Sequence, residues 1–98
     1  MVRKTSLSSG RKLKVTFEVP AAEHASVAVV GDFNGWDKSA TPLKRRKKDG
    51  LFAASVTLDA GCRYEFRYCV DGSNWFNDPD ADASVPNTFG TENSVLQT

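Results

Sequence analysis

The sequence predicts an all-β fold, a sandwich of two antiparallel sheets. Three observations carry this. Apolar residues recur with a period of two along most of the chain, turn formers interrupt them roughly every 8–12 residues, and no window shows the i, i+3, i+4, i+7 spacing of a helix. At 98 residues the chain is one domain, near the lower size at which a single core holds itself together without staples. Its 40% hydrophobic and 26% charged content is that of an ordinary globular protein.

Residues 1–11 are rich in Ser, Lys and Arg and predict a flexible leader, with the folded domain over 12–98. Leu13, Val15, Phe17 and Val19 then alternate with Lys12, Lys14, Thr16 and Glu18, a half-buried strand closed by Pro20. His24 stands alone, without a Cys–His pair at zinc spacing, and reads as a turn residue. The apolar run Val27-Ala28-Val29-Val30 predicts a central strand buried on both faces.

The next segment is Lys44-Arg45-Arg46-Lys47-Lys48 before Asp49-Gly50. No aromatic residue interleaves with it. It reads as a solvated hairpin whose charge guards a sheet edge, not as a nucleic-acid site. Phe52, Ala54, Val56 and Leu58 alternate up to Asp59-Ala60-Gly61, and Tyr64, Phe66, Tyr68 and Val70 alternate with Arg63, Glu65, Arg67 and Cys69. Asp71-Gly72 tolerates positive φ at both turn positions and predicts a hairpin that returns through Trp75-Phe76.

Residues 77–88 are turn formers, with Pro79 and Pro86. Their ladder Asp78, Asp80, Asp82 lacks the glycine and downstream glutamate of a calcium loop, so a solvated loop is expected and no metal. Asn93 to Gln97 supply a last strand, for six or seven strands in all.

The net charge of +1 hides an asymmetry: residues 1–50 carry 11 Lys/Arg against 5 Asp/Glu, and residues 51–98 carry 2 against 7. Such a dipole is compatible with a weak anionic partner without demanding one. Cys62 and Cys69 lie seven residues apart in one predicted strand, roughly 23 Å at ~3.3 Å per residue. A disulfide spans about 4.4–6.8 Å, so free thiols and a reducing compartment are expected. Met1-Val2-Arg3-Lys4 leads into no apolar run, and no stretch nears the ~20 apolar residues of a membrane span. These features predict a cytoplasmic protein with no membrane partner. The start methionine, with a finish just past the last strand, favours a free-standing domain.

Two tryptophans stand out, in Gly31-Asp32-Phe33-Asn34-Gly35-Trp36 and Val70-Asp71-Gly72-Ser73-Asn74-Trp75. Both follow strands, in turn-rich segments where a large ring is hard to bury. Such a ring either plugs a corner of the core or serves as a stacking platform. Phe17, Phe52, Tyr64, Phe66 and Tyr68 already supply inward rings, which favours the platform. A pyranose offers an apolar C–H face to an indole and hydroxyls at its edge, so a sugar site pairs flat aromatics with residues such as Asn93, Thr91 and Arg67. Burying ~100 Å² of indole at ~25 cal/mol/Å² yields roughly 2–3 kcal/mol per ring. Ordering costs take back much of that, for an expected Kd of about 10 µM to 1 mM.

Several segments together carry a family resemblance. They are Val30-Gly31-Asp32-Phe33-Asn34-Gly35-Trp36, Tyr64 through Gly72, Trp75 before Asn77-Asp78-Pro79, and Phe89-Gly90-Thr91-Glu92-Asn93. From about residue 13 to 97 the chain resembles carbohydrate-binding module family 48, the glycogen- and starch-binding module of the AMP-activated protein kinase beta subunit. The same module forms the N-terminal early-set domain of isoamylases and branching enzymes. The resemblance implies an immunoglobulin-like early-set β-sandwich in which Trp36 and Trp75 stack on glucose rings. It also implies that Arg67 takes the place of a lysine that bonds glucose hydroxyls, and that Phe89 replaces a leucine projecting into the curve of an α-1,4-glucan. Thr91 and Asn93 match the polar residues that bond the central glucose. Enzyme-attached members often lack these rings, so their presence favours binding.

Three departures bear on ligand preference: the planar fork of arginine for a point charge, phenylalanine for leucine, and a Trp75 hairpin one residue longer through Ser73-Asn74. Glycosidases hold two carboxylates about 5–9.5 Å apart in a deep cleft, which a sandwich of this size lacks, and no nucleophile or phosphate-loop motif occurs. The expectation is therefore a non-catalytic module without cofactor that binds α-1,4-glucan and brings an associated enzyme to it. The competing expectation is a structural or protein-interaction module of a glucan-processing enzyme or a kinase complex.

Overall fold

The computed structural model describes residues 2–7, 10–20 and 25–98. His24, expected at a turn, lies outside the described residues. Within them the fold is all-β, apart from one 3-10 turn at Asp32–Asn34. The strands are β1 (Val2–Ser6), β2 (Lys12–Pro20), β3 (Val27–Gly31), β4 (Pro42–Arg45), β5 (Leu51–Asp59), β6 (Arg63–Val70), β7 (Asn74–Phe76), β8 (Ala83–Pro86) and β9 (Glu92–Gln97). All pair antiparallel, in the order β1-β2-β5-β4-β3-β6-β9-β8, with β7 added on β6.

Two separate sheets were the sequence expectation. The structure instead has one continuous ladder that curls over on itself. β4 is the seam: Pro42 and Leu43 pair with β3, while Lys44 and Arg45 pair with β5. The two halves face each other across the core, where the Phe17 ring of β2 lies 5.3 Å from Phe66 and 6.4 Å from Tyr68 of β6. The alternation read from the sequence sets this core. Val15, Phe17 and Val19 are buried from one half, and Phe66, Tyr68 and Val70 from the other. Val27, Val29 and Val30 are all buried, as a two-sided central strand requires.

Three elements differ from the expectations. The supposed flexible leader contains β1, which pairs with β2 from Val2↔Phe17 to Ser6↔Leu13. Val2 packs against the core and Arg3 Nε donates to Glu18 Oε1 at 2.6 Å. The basic run forms the exposed hairpin between β4 and β5 that the sequence predicts, but it guards no edge, because β4 is paired to both β3 and β5. Arg45 covers the Phe52 ring at 5.2 Å, and Arg46 pairs with Glu18 and with Asp49. The segment read as turn formers contains β8, an edge strand on β9 that tolerates Pro86 at its end.

The acidic ladder is structural. Asp78 is buried, accepts the Tyr68 hydroxyl at 2.5 Å and caps the backbone N–H of Asp80 at 2.8 Å. Burial, and then the Asp78 carboxylate, push the Tyr68 phenol well above its ordinary value. Asp82 closes the curl: its Oδ2 accepts Lys4 Nζ of β1 at 2.6 Å and the Gln97 amide of β9 at 2.8 Å, while Lys4 Nζ also donates to Gln97 O at 2.9 Å. The two ends of the sheet order are thereby clipped together. Cys62 and Cys69 are both free.

Candidate functional site

The turn that follows β3 is built to hold one exposed ring. A Cβ on Gly31 would meet the Glu65 carbonyl oxygen at 2.5 Å and Phe66 Cβ at 2.7 Å, so only glycine lets β3 run this close to β6. Phe33 turns inward and stacks on Phe17 at 5.5 Å. Asn34 ties the turn with its side chain, accepting the Gly31 amide at 3.0 Å and donating to Val29 O and Thr41 Oγ1, each at 3.0 Å. Trp36 is left to project outward at φ 60°, a left-handed conformation that costs a non-glycine residue about 1–2 kcal/mol. Its amide donates to Gly31 O at 3.0 Å and its Nε1 to Asp32 Oδ1 at 2.9 Å. The second Asp32 oxygen accepts the Glu65 amide at 2.8 Å, which locks the indole to β6.

The other ring arrives by a hairpin. Asp71 and Gly72 take φ of 52° and 78°, with the Ser73 amide donating to Val70 O at 3.3 Å. That is the left-handed pair the Asp-Gly dipeptide predicts. The Asp71 carboxylate also caps the amides of Ala25 and Ser26, both at 2.9 Å. On β7 the period of two sends Phe76 inward against Tyr68 at 5.6 Å and Trp75 outward beside Cys69. Two cations attend the Trp75 ring: Arg67 Cζ at 5.9 Å and Lys38 Nζ at 5.6 Å from its centroid.

All six residues singled out in the sequence line a single groove of about 940 Å³: Trp36, Arg67, Trp75, Phe89, Thr91 and Asn93. Trp36 and Trp75 remain 37% and 36% exposed, and Phe89 is 89% exposed at the tip between β8 and β9. None of the three rings is a core plug. Arg67 lies on the outer face of β6, as its parity with the buried Phe66 and Tyr68 requires. Its Nη1 donates to Thr91 Oγ1 at 3.3 Å, and its Nε is buried with no hydrogen-bond partner.

Sequence reasoning missed Asp32, Glu65 and Asn87, which also line the groove. The parity that exposes Arg67 also exposes Glu65 two residues earlier, so that signal was present. Asn87, an asparagine opening a Thr-Phe-Gly turn, carried the ordinary signature of a side-chain-capped turn. The role of Asp32 depends on the distant amide of Glu65, which no local pattern announces.

Parts of the chain are similar to known proteins. The 1,4-alpha-glucan branching enzyme GlgB of Burkholderia cenocepacia (strain HI2424) is 39% identical over 57 residues, covering 57% of this chain and 8% of that protein. The branching enzyme GlgB of Aquifex aeolicus (strain VF5) is 36% identical over 85 residues, covering 74% of this chain and 13% of that protein. The chain thus spans roughly a tenth of the length of these curated relatives. Among solved structures, the enterobactin esterase FES from Shigella flexneri, in the presence of enterobactin, superposes over 98% of this chain and 32% of its own. The TM-score is 0.75 at 13% identity, a likeness of fold alone. The pattern of the family described as Carbohydrate-binding module 48 (Isoamylase N-terminal domain) matches residues 6–83. With the match extending over most of its length, the chain belongs to carbohydrate-binding module family 48.

Proposed function

We propose that this chain is a non-catalytic module that binds α-1,4-linked glucan, of the glycogen or starch type, in the groove between Trp36, Trp75 and Phe89. The observation that carries the reading is the convergence of three exposed rings with Arg67, Thr91 and Asn93 on one surface. The indoles stack on the apolar faces of successive glucose rings, the terminal guanidinium of Arg67 donates to a sugar hydroxyl, and Asn93 and Thr91 belong to the polar lining. Phe89 enters the concave side of the glucan helix. In the same reading the curled sheet is an immunoglobulin-like early-set sandwich, with β1, β2 and β5 packed against β3, β6, β9 and β8. The free thiols suit a cytoplasmic setting.

The module would raise the local concentration of glucan for an enzyme attached to it or associated with it. A second reading, a packing module within a larger enzyme, draws on the small share of the branching enzymes that the chain spans. Titration with maltoheptaose and β-cyclodextrin, followed by tryptophan fluorescence and amide NMR shifts, separates the two. Saturable changes at Trp36 and Trp75 with a Kd between about 10 µM and 1 mM are expected, with none for a cello-oligosaccharide. No response up to about 10 mM would overturn the glucan reading in favour of the packing role.

A further inference from the structure

The turn Asn87–Thr91 carries Phe89 and leads into Asn93, and one side chain organises all of it. The Asn87 amide nitrogen donates to Thr91 Oγ1 at 2.8 Å and to Asn93 Oδ1 at 3.0 Å, which uses both of its protons. The Asn87 carbonyl oxygen accepts from the Phe89 amide at 2.9 Å, the Thr91 amide at 3.2 Å and the Thr91 hydroxyl at 3.0 Å. Its backbone N–H adds a bond to Thr91 O at 2.9 Å. Nothing of the Asn87 side chain is left over for a ligand.

The same accounting applies to its partners. A threonine hydroxyl has one proton and two lone pairs. The Thr91 proton goes to Asn87 Oδ1, and the lone pairs take Asn87 Nδ2 and Arg67 Nη1. Asn93 spends its oxygen on Asn87 and one proton on Glu65 Oε1 at 3.2 Å, so it keeps one proton and one lone pair. Of these three side chains, Asn93 alone retains capacity for a sugar hydroxyl.

We propose that Asn87 is the positioning residue of the groove, and that Thr91 serves the ligand through Asn87 and not by a bond of its own. Asn87 sets the projection of Phe89 and the rotamer of Asn93, while Thr91 braces both Asn87 and the Arg67 fork. Direct hydroxyl recognition then falls to the terminal guanidinium of Arg67 and the spare Asn93 groups.

The proposal rests on the glucan reading, and its test uses the whole chain with maltoheptaose. Asn87→Ala and Thr91→Val should each weaken binding about tenfold, and the double variant should bind no more weakly than Asn87→Ala. Additive losses, about a hundredfold in the double variant, are the signature of a direct Thr91–sugar bond and would overturn the proposal. Asn87→Asp keeps a carboxylate oxygen for the Phe89 and Thr91 amides but loses both Nδ2 donations. It should hold those amides protected from exchange yet lose affinity, which keeps the test open if the alanine variant folds poorly.

In the free protein, exchange at the Phe89 and Thr91 amides should rise tenfold or more in Asn87→Ala, with β2 and β5 unchanged. Unchanged exchange would overturn the positioning role even if the wild type binds no maltoheptaose. That last result alone would count against the glucan reading and leave the exchange result to decide for Asn87.

Discussion

Trp36 sits at φ 60° while its indole nitrogen bonds Asp32, so its placement combines backbone strain with a side-chain lock. Strain of this kind persists where the surrounding structure over-determines it, here through Asn34 and the inward Phe33. Replacing either tryptophan by alanine should weaken maltoheptaose binding by about 1.5–2.5 kcal/mol, given ~100 Å² of buried indole. Because both rings are more than a third exposed, the fold should survive, as thermal unfolding by circular dichroism would report. Trp36→Gly should melt above Trp36→Ala, since glycine adopts the left-handed conformation at no steric cost. Gly31 is the opposite case. A methyl group there meets the fixed backbone of β6, and Gly31→Ala should destabilise the domain by about 1–3 kcal/mol in urea unfolding and displace Trp36 as well.

At the scale of elements, β4 decides the architecture. It is short, with Leu43 its one buried side chain, yet it carries the ladder from one half of the sheet to the other. Leu43→Ala should cost about 2–4 kcal/mol, measured by the urea midpoint, and should loosen amide protection in both β3 and β5. Loss of protection on one side alone would contradict its role as the seam. The hairpin β6–β7 and the turn after β3 act in parallel, each using one inward ring as anchor and one outward tryptophan as platform. Phe76 and Phe33 are therefore as necessary to the groove as the residues that line it.

For the whole molecule, two carboxylates tie strands together, Glu18 within one half of the sheet and Asp82 between its two ends. Burial disfavours the charged form of Glu18, but hydrogen bonds from Arg46 and Arg3 outweigh it and hold its carboxyl below the ordinary value. The Lys4 ammonium, then the Gln97 amide, hold Asp82 below its ordinary value too, against a smaller effect of burial. For a carboxyl whose folded value is depressed, the stabilisation is complete above the unfolded value and fades as pH falls through the folded one. Stability should therefore be level at neutral pH and decline once pH drops below about 4–5. Glu18→Gln should lower stability at pH 7 by about 1–3 kcal/mol and flatten that decline, as urea midpoints across pH would show. Lys4→Met should free the β1 end, speeding amide exchange in β1 more than in β2 or β5.

Alternation alone determined β2, β5 and β6 and the inward set Phe17, Phe66 and Tyr68, because a period of two sorts side chains onto two faces without reference to the rest of the chain. The outward position of Arg67 and the two turn-borne tryptophans were legible for the same reason. β1, β4 and β8 were not. Each is polar or short, and each is a strand only because a neighbour supplies the ladder and, for β1, a buried glutamate to pair with. The framework of the groove was equally hidden, since Asp32 needs the amide of Glu65 and Asn93 is oriented from two directions by Asn87 and Glu65. Local periodicity records which face a side chain takes. Which distant partner completes its hydrogen bonds, and so which groups stay free for a ligand, is settled only when the sheet curls and brings those partners together.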